Sequence, residues 1–157
     1  MIIMGIDPGT ATTGWGVVRI IKDKFDFVGA GVITTPANMA LEKRLLIIYK
    51  DLKTLIKKFK PKVCAVELLF FNTNAKTAML VGQARGSVML TLELSKIPLY
   101  SYTPLQVKMA MTGYGRADKK QIQSMVTKLL KLRNIPKPDD AADALAVALT
   151  HGFTQKN

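Results

Sequence analysis

Within residues 1–34, three apolar β-type segments follow one another across turns too short to hold a crossover. They are Met1–Asp7, Thr13–Ile21 and Phe25–Thr34, broken by Pro8-Gly9 and by Lys22-Asp23-Lys24. Strands so connected can pair only as an antiparallel meander. The period then changes. From about Met39 to Phe59, Leu41, Leu45, Ile48, Leu52, Leu55, Ile56 and Phe59 recur at three- and four-residue steps, with lysines on the other face, which predicts a helix. Pro61 stops it, and Lys62–Leu68 reads as a buried fourth strand ending near Glu67. A second helix covers about Asn74–Leu94, apolar almost all round, and Pro98–Tyr102 forms a fifth strand. A short helix begins near Pro104. Gly113-Tyr114-Gly115-Arg116 makes a basic loop, and an amphipathic helix runs from Asp118 to about Leu132 with Ile122, Met125, Val126, Leu129 and Leu130 inward. A last helix starts near Asp139 and carries Leu145, Ala146 and Leu149 on one face. This order predicts an α/β fold: a five-stranded mixed sheet, three strands antiparallel and two parallel, flanked by helices. With no repeat or linker-like stretch, residues 1–157 read as a single domain.

Charge narrows the function. A net charge of +12 on 157 residues repels itself unless a polyanion is the partner, so nucleic acid comes first and an anionic membrane surface second. The one cysteine, Cys64, cannot form an internal disulfide and sits in the apolar run 63–66, which suits a small core residue in a reducing compartment. No segment reaches the roughly 18 apolar residues of a membrane span, and the expectation is a soluble, cytoplasmic protein.

The acids are placed with more information than the lysines. Asp7 ends the first strand and Glu67 the fourth, while Asp140 and Asp143 lie one turn apart on the last helix. Asp139 reads as that helix's N-cap. Singly, Asp7 could be a turn residue, Glu67 a surface strand end and Asp140 a complement to the helix dipole. Asp143, flanked by Ala141, Ala142, Ala144 and Leu145, faces inward, where an unpaired carboxylate costs several kcal/mol or takes up a proton. If strands one and four are neighbours and the last helix crosses their ends, four carboxylates meet and need cations to hold them together. Magnesium suits such a site, and two ions about 4 Å apart would serve an in-line attack by water on a phosphodiester.

An acid ending strand one, another ending strand four and Asp-x-x-Asp on a terminal helix resemble the ribonuclease H-like nucleases. The resemblance sharpens to the RuvC-type Holliday-junction resolvases through Gly5-Ile6-Asp7-Pro8-Gly9-Thr10, Val66-Glu67, Gly82-Gln83-Ala84-Arg85-Gly86 and Asp140-Ala141-Ala142-Asp143-Ala144-Leu145, in that family's order and over nearly the whole chain. It implies a magnesium-dependent crossover junction endodeoxyribonuclease that resolves four-way DNA by paired nicks, in recombination and repair. Two ions per site, magnesium or manganese, would be held by Asp7, Glu67, Asp140 and Asp143. The resemblance also implies DNA contacts at Phe70, Arg85, Lys108, Arg116, Lys119 and Lys120; singly, the lysines read equally well as solvated surface residues. Phe70, or its neighbour Phe71, matches an aromatic that stacks on an unpaired base at the junction centre. The family pairs its protomers through the second helix, so Met79, Leu80, Val88 and Leu92 become the expected seam of a homodimer. A branch-migration complex of the RuvA and RuvB type is the further implied partner. His151, the only histidine, lies outside the motifs and reads as structural or surface.

Other functions meet part of the pattern. The Gly5–Thr10 stretch also resembles the first phosphate loop of actin-like ATPases and sugar kinases, but 157 residues cannot hold their two lobes and an adenosine site. A ribonuclease H acting on RNA–DNA hybrid shares the metal chemistry; the Gly82–Gly86 motif and the apolar second helix argue against it. A junction-binding module without catalysis would have no use for all four acids.

Overall fold

Residues alternate between the two faces of a strand, and the first strand shows this directly. The computed structural model of the chain describes residues 1–68 and 74–155. In β1 (Ile2–Asp7), Ile3 packs with the helices on one face and Met4 and Ile6 with those on the other. β2 (Thr12–Ile21) and β3 (Lys24–Thr34) complete the meander, joined by Lys22 and Asp23, both at positive φ as a two-residue hairpin turn demands. β4 (Val63–Glu67) lies parallel to β1 on its other side and β5 (Leu99–Tyr102) parallel to β4. The sheet order is β3-β2-β1-β4-β5, with three strands antiparallel and two reached by helical crossovers, as the pattern predicts.

Helices cover both faces. α1 (Leu41–Phe59) and α2 (Ala75–Leu94) lie over Met4, Ile6, Val17, Ile33, Cys64 and Val66. Ile48 and Leu52 of α1 and Ala84, Val88 and Leu92 of α2 are buried there. Ser87 donates to the Leu45 carbonyl at 3.0 Å and ties the two helices together. Asn74 caps α2 by accepting from the backbone N–H groups of Lys76 and Thr77. Cys64 is fully buried and its thiol is pushed well above its ordinary range, so it is inert packing.

On the opposite face lie α3 (Pro104–Thr112), α4 (Lys119–Leu129) and α5 (Asp139–Thr154). Capping boxes start α3 at Thr103/Gln106 and α4 at Asp118/Gln121. α5 is buried along most of its length and lies directly on β1 and β2. A β-carbon added to Gly5 would fall on the Ala144 carbonyl, one on Gly14 on the Asp140 carbonyl, and one on Gly16 on Leu145. At Gly5 and Gly14 backbone therefore rests on backbone, and at Gly16 the Leu145 side chain fills the space a β-carbon would take. At the far end of α5, His151 is buried, its Nδ1 lying 2.7 Å from the Tyr102 hydroxyl and its ring against Tyr100, so it is structural. Among the described residues, no helix is long and apolar enough to cross a membrane.

Two expectations need correction. α5 begins at Asp139 with Pro138 at the N-cap, so Asp139 is not the cap; its carboxylate accepts instead from Lys137 at 3.1 Å and Gln123 at 3.2 Å. Val88 and Leu92 are fully buried against the sheet and cannot form a seam between protomers. The apolar side chains that α2 exposes are Met79, Met89, Leu90 and Leu94, with Leu80 partly exposed.

The close contact of α5 with β1 predicts an asymmetry among glycines. Gly5→Ala must push α5 off the sheet and should cost about 3 kcal/mol, as overpacking of a tight core does. Gly82→Ala, in α2 with open space at the new methyl, should raise stability by about 0.5–1 kcal/mol. Urea-unfolding midpoints measure both; equal effects would show that α5 does not ride on Gly5.

Candidate active site

Strand alternation that buries Ile3 beneath α5 sends Gly5 and then Asp7 to the same face. In β4, Val63 and Ala65 join that core and Glu67 follows them in phase. Ile6 pairs with Val66 in the parallel register, and one further step sets Asp7 beside Glu67 at the C-terminal end of both strands. Asp7 also stands opposite Gly14 of β2, and Gly14 is where the Asp140 backbone rests. α5 thus brings Asp140, and one turn on Asp143, over the ends of β1 and β4. Four acids from three elements converge.

Their electrostatics follow from the crowding. Asp7 is pushed up to about 7, first by burial and then by the negative charges of Asp143, Glu67 and Asp140; Lys119 opposes them. Glu67 is raised by burial and by Asp143, against the pull of Lys108 and Lys119. Burial also raises Asp143, whose side chain is 28% exposed, although Lys119 donates to its Oδ2 at 3.0 Å. That contact in turn raises Lys119, which also reaches Asp139 at 3.6 Å. The ammonium is in direct contact with Asp143, beside Asp7 and Glu67, whose burial opposes their ionising.

The donor set fits a hard cation that seeks oxygen ligands. Among the described residues, no three acidic or imidazole side chains stand close enough to hold an ion as they are turned here. The fit is one of chemistry and of a shared location, and it is the crowding that a divalent charge would relieve.

The basic residues divide. Lys108 on α3 acts on Glu67, and Lys119 on Asp143, so both belong to the acidic cluster's own surroundings. Arg116 and Lys120 are exposed, beside the loop that joins α3 to α4. Arg85 reaches inward: Nη1 donates to the Glu67 carbonyl and Nη2 to the Ser101 hydroxyl, each at 3.0 Å. Phe70 and Phe71 lie outside the described residues. Sequence reasoning missed Ser101 and the part played by Asp139; for Asp139 the signal was Lys137, two residues before it.

The family model described as "Crossover junction endodeoxyribonuclease RuvC" matches residues 3–151. The chain belongs to the RuvC family. A RuvC of Rubrobacter xylanophilus is 52% identical over 155 residues, covering 99% of this chain and 87% of that protein. A RuvC of Ruminiclostridium cellulolyticum is 54% identical over 156 residues, covering 99% of this chain and 94% of that protein. Among solved structures, Thermus thermophilus RuvC in complex with Holliday junction substrate superposes with a TM-score of 0.95 at 36% identity, covering 99% of this chain and 95% of that one. The yeast mitochondrial Holliday junction resolvase, at 17% identity and a TM-score of 0.73, shares the fold, covering 98% of this chain and 78% of that one. Membership makes this chain a nuclease of the hydrolase class, and its sheet is that of the RuvC and ribonuclease H-like proteins.

Burial of Asp7 among like charges makes stability depend on pH. Folded, Asp7 keeps its proton up to about pH 7; unfolded, it loses it near pH 4. The folded state therefore binds more protons across that window, and stability present below pH 4 is lost as pH rises through 7. In chelator, Asp7→Asn should be more stable than the parent at pH 8, with the gap closing toward pH 4.5. Melting curves at several pH values test this; a gap that widens toward acid would remove the argument.

Proposed function

We propose that the protein is a structure-selective endonuclease that resolves four-way DNA junctions by paired nicks, using divalent ions held by Asp7, Glu67, Asp140 and Asp143. The observation that carries this reading is the meeting of these acids at the ends of β1 and β4, in a chain of the RuvC family. The likeness to a RuvC bound to a Holliday junction substrate supports the choice of DNA. Magnesium is the ion of choice, with manganese as its substitute, and two ions per site suit phosphodiester hydrolysis. Bound ions supply Lewis-acid activation of water and neutralise charge at the scissile phosphate.

The chain's own residues do the rest. The four carboxylates would hold the ions, and the rigid seat of α5 on the sheet fixes where Asp140 and Asp143 stand relative to the end of β1. Lys119 supplies counter-charge to Asp143, and with ions held there its ammonium would be available to a phosphate. Lys108 balances Glu67, and the exposed Arg116 and Lys120 take the DNA backbone. Resolution needs two nicks on strands related by two-fold symmetry, which a two-fold dimer provides. The exposed apolar side chains of α2, Met79, Met89, Leu90 and Leu94, with Leu80, supply a surface for a homodimer. A branch-migration complex of the RuvA and RuvB type would deliver the junction.

The test is a mobile synthetic junction incubated with magnesium, with both nicks mapped at nucleotide resolution. Asp143→Asn should lose cleavage by at least a thousandfold while junction binding survives or tightens, since a negative charge near phosphate is removed. Binding and folding lost together would make the acid structural. An RNA–DNA hybrid cut faster than the junction would favour ribonuclease H instead.

Dimerisation has its own test. Leu90→Glu places a charge on the exposed apolar face and should shift the protein toward a folded monomer in sedimentation. On a plasmid cruciform it should yield nicked circles where the parent yields linear DNA. A parent that is monomeric on DNA and still linearises the cruciform in one binding event would overturn the dimer.

A further inference from the structure

We infer that Arg85 is a positioning residue for Glu67: bridging β4 and β5 from α2, it fixes the strand end and so the direction in which the Glu67 carboxylate is presented. The inference rests on the proposal that Glu67 is a metal ligand. Its basis is a contact pattern that a phosphate-binding arginine does not need. One Nη donates to the backbone carbonyl of Glu67 and the other to the hydroxyl of Ser101. Ser101 pairs in register with Val66, the residue before Glu67. A single planar group thus spans two adjacent strands where the sheet ends. Just past it, the Leu68 N–H donates to the Tyr102 carbonyl at 2.6 Å, the ladder contact on the far side of Glu67.

A guanidinium holds its nitrogens in a rigid plane, so two acceptors gripped at once are set relative to each other. Here they are a peptide of β4 and a side chain of β5. The charges that act on the Glu67 carboxylate come from Asp143, Lys108 and Lys119, so the grip of Arg85 is on the backbone side. The same helix holds the other acidic strand. Thr10, in the turn after Asp7, donates to the Leu80 carbonyl of α2 at 2.8 Å, and Thr35 donates to the Thr10 carbonyl at 2.6 Å. α2 is a strut tied to the end of β1 at Leu80 and to the end of β4 at Arg85.

The experiment separates positioning from DNA contact. Arg85→Lys keeps the charge but cannot bridge two acceptors in one plane. Junction affinity in calcium, and the slope of its logarithm against log salt, should stay at the parent's values. Single-turnover cleavage at saturating junction should fall about 10–100-fold, and the magnesium concentration for half-maximal rate should rise. Mn2+ binding to the free protein, followed by electron paramagnetic resonance, should weaken about tenfold, a readout independent of cleavage. Ser101→Ala removes the second acceptor without touching any charge, and should lose rate and Mn2+ affinity in the same direction by a smaller factor. Combined with Arg85→Lys, it should add little.

An Arg85→Ala protein whose salt slope drops by about one, with parental single-turnover rate and Mn2+ affinity, would make Arg85 a phosphate contact and overturn the proposal. If Arg85→Lys fails to fold by urea titration, Ser101→Ala decides alone, and parental rate and Mn2+ affinity there would overturn it. Failure of the underlying metal-site reading is seen separately, as a wild-type protein that binds no Mn2+, and would remove this proposal with it.

Discussion

The contact between α5 and the β1–β2 pair is the constraint on which the acidic cluster depends. Side-chain packing elsewhere in the protein, such as Ile48 and Leu52 against Met4 and Val66, can adjust by rotamer when its surroundings change. The contact at Gly5 and Gly14 has almost nothing to rotate. The helix main chain lies on the sheet main chain, and the distance between them is set by atoms with no torsional freedom. Glycine in a strand interior weakens the strand, by roughly 0.5–1 kcal/mol relative to alanine. What it gives in return is a fixed relation between the Asp140–Asp143 turn and the end of β1.

That relation matters because the charges it gathers oppose one another. The chain is strongly basic as a whole, yet four of its eleven acids come together where β1, β4 and α5 meet. A flexible arrangement would relax by spreading the carboxylates into solvent. The rigid seat of α5 prevents this: burial, and after it the neighbouring charges, leave Asp7 holding its proton to about pH 7, and a lysine is drawn onto Asp143. A polyanion approaching such a chain is attracted by its net charge and meets local repulsion at this cluster, where cations are wanted.

Much of this was legible in the sequence, for identifiable reasons. Strand alternation and the proline and glycine punctuation mark most elements to within a residue or two, although α4 ends at Leu129, short of the expected Leu132, and the two acids at strand ends follow from where the apolar runs stop. Asp140 and Asp143 share a helix face by spacing alone. Family motifs brought Arg85, Lys108 and Lys119 forward, but as DNA contacts, since a motif names a residue without its partners. The hydrogen bonds of Arg85 to Glu67 and Ser101 cross from α2 to two strands and leave no periodic trace. α2 defeated pattern reading for another reason. A helix apolar all round has no preferred face, so Val88 and Leu92, which meet the sheet, were indistinguishable from Met79 and Leu90, which meet solvent. Asp139 was misplaced because an acid at a helix start normally caps it, and Lys137 and Gln123 offered its carboxylate other partners.

The alternation that sends Asp7 and Glu67 to one face also places a parity rule on the chain. One residue added or lost between Ile3 and Asp7, or between Val63 and Glu67, would turn the acid to the α1–α2 side of the sheet, into an apolar layer far from its partners. Two residues would restore the face but carry the carboxylate roughly 7 Å along the strand. Substitutions can be absorbed gradually, through affinity or rate; length changes in these two strands cannot. Surface loops can lengthen at modest cost, while β1 and β4 are counted, residue by residue, from the core to the acid.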